Sequence, residues 1–231
     1  LEAIGALGLA ERFIADGMRK ETLRIGDGPH ALAAMPIAEG VDSPFPFTLI
    51  LHQSRTEAIL AERLAENCIQ VERGVELLGF TEAGPVVETR LKHADGHEEE
   101  VACSFLVGCD GARSAVRHGL DIPFEGYTEP QTFILSDTRM EGPLDPTSIY
   151  IWWSTAGSVA LVPVTPGVWR TFAMREDPAS DEPPTLEEMQ RHLTASGLGV
   201  VAHDPTWLSA FRVNERLVAS YGRGRVFLAG D

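Results

Sequence analysis

The chain has 231 residues, of which 44% are hydrophobic and 23% charged, an ordinary composition for a folded water-soluble domain or a pair of small ones. Lys+Arg 19 against Asp+Glu 34 leaves a net charge of −15, a field that repels phosphate backbones and anionic lipid and so argues against nucleic acid and membrane partners. No apolar run approaches the roughly 18–20 residues of a membrane span, and Leu1 opens directly into an amphipathic pattern without a secretion signal. Three cysteines (Cys68, Cys103 and Cys109) without a C-x-x-C pattern support neither a disulfide framework nor a zinc site, and the expected setting is a reducing cytoplasm.

Leu1 to about Asp16 reads as a helix closed by Gly17. Thr22–Ile25 and Ala31–Ile37 read as strands around the turn Gly26-Asp27-Gly28-Pro29. After the Pro-rich loop at Ser43-Pro44-Phe45-Pro46, Ser54-Arg55-Thr56-Glu57 has the spacing of a capping box and predicts a helix to about Asn67, with Ile59, Leu60 and Leu64 on its apolar face. Strands are predicted at Ile69–Glu72, Val75–Thr81, Val86–His93 and Val101–Cys109, then a short helix from Ser114 to Gly119. Ser148–Trp153, Ser158–Val162 and Val168–Met174 read as a meander within a strand-rich stretch. Glu176–Pro184 reads as an acidic loop before a helix capped at Thr185 and ending near Gly197. Arg225–Ala229 reads as a buried strand. The pattern is a mixed α/β (α+β) one.

The two ends are read as cuts, since the chain opens inside a helical pattern and stops two residues after a buried strand.

Two segments carry the candidate chemistry. In Leu106-Val107-Gly108-Cys109-Asp110-Gly111-Ala112-Arg113-Ser114-Ala115-Val116-Arg117, a strand delivers an acid to its carboxyl end, where ligands of open α/β sheets collect. Gly111 permits a tight turn, and Arg113 and Arg117 are suited to phosphate charge. A plain β-turn with Ser114 capping a helix accounts for the same spacing. In Gly224-Arg225-Val226-Phe227-Leu228-Ala229-Gly230-Asp231, a second strand ends on Gly230 and Asp231, a carboxylate suited to hydroxyl donors.

Together these segments resemble the "DG" and "GD" motifs of FAD-dependent aromatic monooxygenases, the para-hydroxybenzoate hydroxylase group. Within it the chain looks closest to the phenol and polyketide hydroxylases. Gln53, in Leu51-His52-Gln53, is similar to the family's flavin-contacting glutamine. The resemblance implies a partial FAD-binding Rossmann-like domain with an inserted mixed/antiparallel β-sheet substrate domain. It assigns residues 1–120 and the return strand 216–231 to the former, and 121–215 to the latter. It further implies that Asp231 and Gln53 reach the FAD ribityl chain and that Asp110, with Gly111, lies near the pyrophosphate. Arg113 and Arg117 would support that turn or the pyridine nucleotide, and Gly230 would pass close to the cofactor. The implied reaction hydroxylates an aromatic substrate with FAD, NAD(P)H and O2; the pattern names no catalytic side chain, and a homodimer is compatible with it.

Trp152, Trp153 and Phe172, in the strand-rich stretch, are candidates for an apolar wall against an aromatic substrate, with one of the adjacent tryptophans facing the core. Cys109 reads as a small core residue. The family's N-terminal G-x-G-x-x-G is absent. The formal near-match Gly26-Asp27-Gly28-Pro29-His30-Ala31 opens no helix and is not expected to bind a nucleotide. No G-x-S-x-G elbow and no paired-histidine metal motif occurs. Two rivals stand beside this reading: a halogenase or reductase of the same fold, and a non-catalytic module that binds a small aromatic molecule.

Overall fold

A computed structural model describes residues 1–230. Two compact units result: Leu1–Ile69 with Glu129–Val213, and Gln70–Thr128 with Asn214–Asp231. In chain order the first stretch holds α1 (Glu2–Ala6), α2 (Ala10–Asp16), β1 (Met18–Lys20), β2 (Thr22–Asp27), β3 (His30–Pro36), β4 (Thr48–Ile50) and α3 (Gln53–Glu66). Then come β5 (Val75–Ala83), β6 (Val86–His93), β7 (Glu98–Cys103), β8 (Leu106–Gly108) and α4 (Ala115–Gly119). The remainder is β9 (Phe124–Glu141), β10 (Ser148–Ser154), β11 (Gly157–Thr165), β12 (Val168–Met174), α5 (Leu186–Ala195), β13 (Val201–Val218), β14 (Gly222–Arg223) and β15 (Val226–Leu228).

The first unit is built on a seven-stranded sheet in the order β13-β9-β12-β11-β10-β2-β3. Alternation along β10, β11 and β12 puts Tyr150, Trp152, Val159, Leu161, Trp169 and Ala173 on one face, where they form a core with Met189 and Leu193 of α5. Thr185 caps α5 by accepting from the Glu188 amide, so the short helix starts where its apolar face meets the sheet. Gly26 leaves room for the Trp152 indole, whose N–H donates to the Gly28 carbonyl at 2.8 Å. The turn at Gly26–Pro29 thus serves packing and joins two strands of a hairpin.

Several expectations are corrected here. The predicted first helix is two helices, broken at Gly8, whose φ of 72° ends the first turn run; Leu9 is then buried with Phe13 and Ile59. The α3 cap is His52, not Ser54: His52 is extended and its ring nitrogen accepts from the Ser54 amide, while Gln53 takes Glu57 as partner at 3.0 Å. Ile69–Glu72 forms no strand, and Val101–Cys109 splits between β7 and β8, which belong to different sheets. The long edge strand β13 went unforeseen because Asp204-Pro205 and Asn214 interrupt its alternation and its side chains are mostly exposed.

The second unit holds two three-stranded sheets, the antiparallel meander β5-β6-β7 and the sheet β14-β15-β8. Its core gathers Val87, Val116, Leu120, Ile122 and Val226, with Leu77, Phe80 and Leu106 packed against them. Among the described residues no helix is long and apolar enough to cross a membrane.

Candidate functional site

Strands β8 and β15 pair in parallel, with Leu106, Val107 and Gly108 opposite Val226, Phe227 and Leu228. The Ala229 amide extends the ladder by donating to the Gly108 carbonyl at 3.0 Å. The two motif segments therefore leave their strands at the same carboxyl end of the sheet, the arrangement in which α/β sheets hold ligands. Gly108 has no space for a side chain, since an added Cβ would lie 2.6 Å from the Cβ of Val116. Gly111 and Gly230 instead carry φ of 70° and 92°, which favours glycine for the backbone itself.

Asp110 is exposed at the end of β8 and accepts from the Val116 amide at 3.2 Å. Partial burial pushes its carboxyl up, but bonds from the Ser114 hydroxyl and the Val116 and Ala115 amides outweigh this and hold it below the ordinary carboxylate value. Ser114 also caps α4, accepting from the Arg117 amide at 2.9 Å. The capping reading and the ligand reading of this turn are thus compatible: one oxygen set orders the turn while the carboxylate stays charged and open.

Arg117 donates to the Ile122 carbonyl at 3.1 Å, and its guanidinium lies 5.1 Å from the centre of the Phe124 ring. It braces the turn. Arg113 is exposed and lines a neighbouring hollow with Asp110 and Cys109. Cys109 is itself exposed, not a core residue, because the chain leaves the sheet there.

Gly108, Asp110, Gly111, Arg117 and Gly230 line one cavity of about 190 Å³. Phe124, Arg216 and Tyr221 complete its wall and were missed in the sequence. Arg216 and Phe124 belong to the ends of β13 and β9, where no motif marks them; the Arg216 guanidinium donates to the Phe124 carbonyl at 3.3 Å. Asp231 lies outside the described residues.

The other predicted residues belong to the first unit. Gln53 is exposed in the first turn of α3, its amide engaged by Glu57. Trp152 faces the α5 core, whereas Trp153 is 45% exposed on the opposite face. Phe172 shares that opposite face: Ile25, Ile151, Ala160, Phe172 and Leu135 form one cross-strand row, and Trp153 lies two residues beyond Ile151. No cluster of His, Cys, Asp and Glu able to hold a metal ion occurs among the described residues.

Comparison with known proteins places this geometry. A 6-methylpretetramide 4-monooxygenase of Streptomyces rimosus is 35% identical over all of this chain, which covers 42% of that protein. An aromatic compound monooxygenase, YhjG, of Bacillus subtilis (strain 168) is 33% identical over all of this chain and 46% of its own length. The chain thus spans somewhat less than half the length of these relatives. The crystal structure of the flavin-dependent monooxygenase PieE, in complex with FAD and substrate, superposes with a TM-score of 0.85 at 21% identity, over all of this chain and 44% of that one. That likeness shows a shared α/β fold. The family model described as an FAD binding domain matches residues 1–231, and the chain belongs to that family.

Proposed function

We propose that the protein carrying this chain is a flavin-dependent monooxygenase that hydroxylates an aromatic, phenolic or polyketide substrate at the expense of NAD(P)H and O2. The observation that carries the reading is the parallel pairing of β8 with β15, which brings Asp110 and Gly230 to one cavity. The residues fit FAD. Glycine backbones at 111 and 230, with open space where a side chain would stand, allow a ribityl-pyrophosphate chain to approach closely, and Arg216 offers positive charge beside them. Asp110 and Asp231 supply carboxylates for hydroxyl donors, and Gln53 is a further candidate for the ribityl chain. The flavin, when bound, supplies the redox chemistry with O2; the chain binds, orients and excludes water.

In this reading residues 1–120 and 216–231 contribute to cofactor binding, and 121–215 form the substrate sheet, with Trp153 and Phe172 against the aromatic ring. Arg113 is assigned to the pyridine nucleotide. The relatives' monooxygenase names favour this over a halogenase, a reductase or a binding module. A cytoplasmic enzyme and a homodimer belong to the same reading.

The test is to purify the full-length protein and record its flavin absorbance, then follow NAD(P)H oxidation with and without phenolic compounds. Bound FAD and aromatic-stimulated oxidation yielding a product with one added oxygen are expected. A flavin-free protein, or oxidation that no aromatic compound stimulates, would overturn the proposal.

A further inference from the structure

On the face of the large sheet that carries Phe172 and Trp153, the ion pair of Arg170 and Asp137 lies within the apolar rows, with Arg139 and Asp27 further out on the same face. Arg170, two residues from Phe172 along β12 and so roughly 7 Å away, lies between Val162 and Asp137. Its Nε and one Nη donate to the two carboxylate oxygens of Asp137, both at 2.8 Å, a bidentate pair that fixes the guanidinium plane. Asp137 is nearly fully buried, while Arg170 keeps 29% of its side chain exposed. The guanidinium also stands 5.3 Å from the centre of the Trp207 ring, and Trp207 is itself half-exposed. The second Nη meets no acceptor among the described residues.

With 29% of the Arg170 side chain exposed, that nitrogen is open to solvent and to a ligand. A guanidinium held flat, with one donor edge uncommitted and an aromatic plate on its side, is a hydrogen-bond donor prepared for an oxygen beside a ring. Asp137 already balances the Arg170 charge, so a full carboxylate gains little from the pair as a whole. A ring carbonyl or phenolic oxygen needs only the donor. We infer that Arg170 is a specificity-determining residue that donates to a phenolic or carbonyl oxygen of an aromatic ligand lying along Phe172, with Asp137 and Trp207 holding it in place. This rests on the aromatic-substrate reading above.

The test compares 1-naphthol with naphthalene on the full-length protein, with binding read from quenching of tryptophan fluorescence. The wild type should bind 1-naphthol about tenfold tighter, as for one well-placed hydrogen bond to a charged donor. In Arg170→Met that ratio should fall to near one. Because this variant leaves Asp137 unpaired, the double variant Asp137→Asn/Arg170→Gln is measured alongside it and should show the same fall. Circular dichroism checks that each is folded. A ratio near one in the flavin-bound wild type, or a ratio unchanged in either folded variant, overturns the role of Arg170 and leaves the monooxygenase reading standing. A wild type without flavin overturns that reading, and this inference with it.

Discussion

The amide of Ala229 and the carbonyl of Gly108 meet at 3.0 Å, so two segments that each look like an ordinary strand-end turn become one site. Each turn alone explains its glycines by local geometry. Their adjacency has no such local cause, and it is what sets Asp110 on the wall of a cavity shared with Gly230 while it accepts from the Val116 amide.

Asp110→Ala in the full-length protein should lower FAD affinity by roughly tenfold or more, the scale of losing one charged hydrogen-bonding group. Flavin titration followed by fluorescence measures it. Because the Val116 amide also loses its acceptor, a stability loss of about 1 kcal/mol is expected alongside, and Asp110→Asn should restore most of that stability while leaving FAD binding weak.

Gly26→Ala should destabilise the first unit by about 3 kcal/mol, since the new methyl runs into the six-membered ring of Trp152, which cannot turn away without giving up its bond to the Gly28 carbonyl. Urea unfolding followed by tryptophan fluorescence would register the change. An effect under about 1 kcal/mol would mean the indole has another place to go.

The carboxyl of Asp145 is drawn from 3.8 down to about 2 by the amide and hydroxyl of Thr147, the Ser148 hydroxyl and the Arg24 guanidinium, against a smaller upward push from burial. A carboxylate depressed on folding stabilises fully above its unfolded value and loses that contribution as pH falls through the folded one. Stability should therefore drop between about pH 4 and pH 2, more steeply than in Asp145→Asn. Unfolding midpoints taken across that range give the comparison. Parallel curves for the two proteins would remove Asp145 from the acid response.

Arg175 and Glu188 form a buried pair, with Nε to Oε1 at 2.9 Å, and the same guanidinium holds the carbonyls of Ser180 and Glu182. Glu188→Gln should cost about 3 kcal/mol by leaving a buried cation short of its counter-charge. It should also loosen the acidic loop 176–184, so limited proteolysis there is expected to accelerate.

The sequence was most legible where chemistry is local. The turn at Asp110-Gly111, the Thr185 cap and the alternation of Trp152 and Trp153 each follow from a few neighbouring residues. The missed elements depend on distant ones. His52 displaced Ser54 as a cap because the backbone is still extended at residue 52, a consequence of the strand before it. Arg216 entered the cavity through a strand whose Asp204-Pro205 hides its period, and Tyr221 through the connection that follows that strand. In the predicted aromatic wall, periodicity separated the two tryptophans, but which of them met α5 was decided by the fit of Trp152 over Gly26.

The parallel pairing of β8 and β15 has a kinetic side as well. Val226 follows Leu106 by 120 positions, and the ladder that joins them is three residues long. Closing so long a loop costs entropy that few contacts repay at once, so this ladder belongs among the late events of folding. During synthesis the Asp110 turn emerges well before its companion strand and has no second wall until the GD segment has left the ribosome. The cavity that the two turns share is accordingly complete only after the later strand has paired, however early the Asp110 turn itself forms.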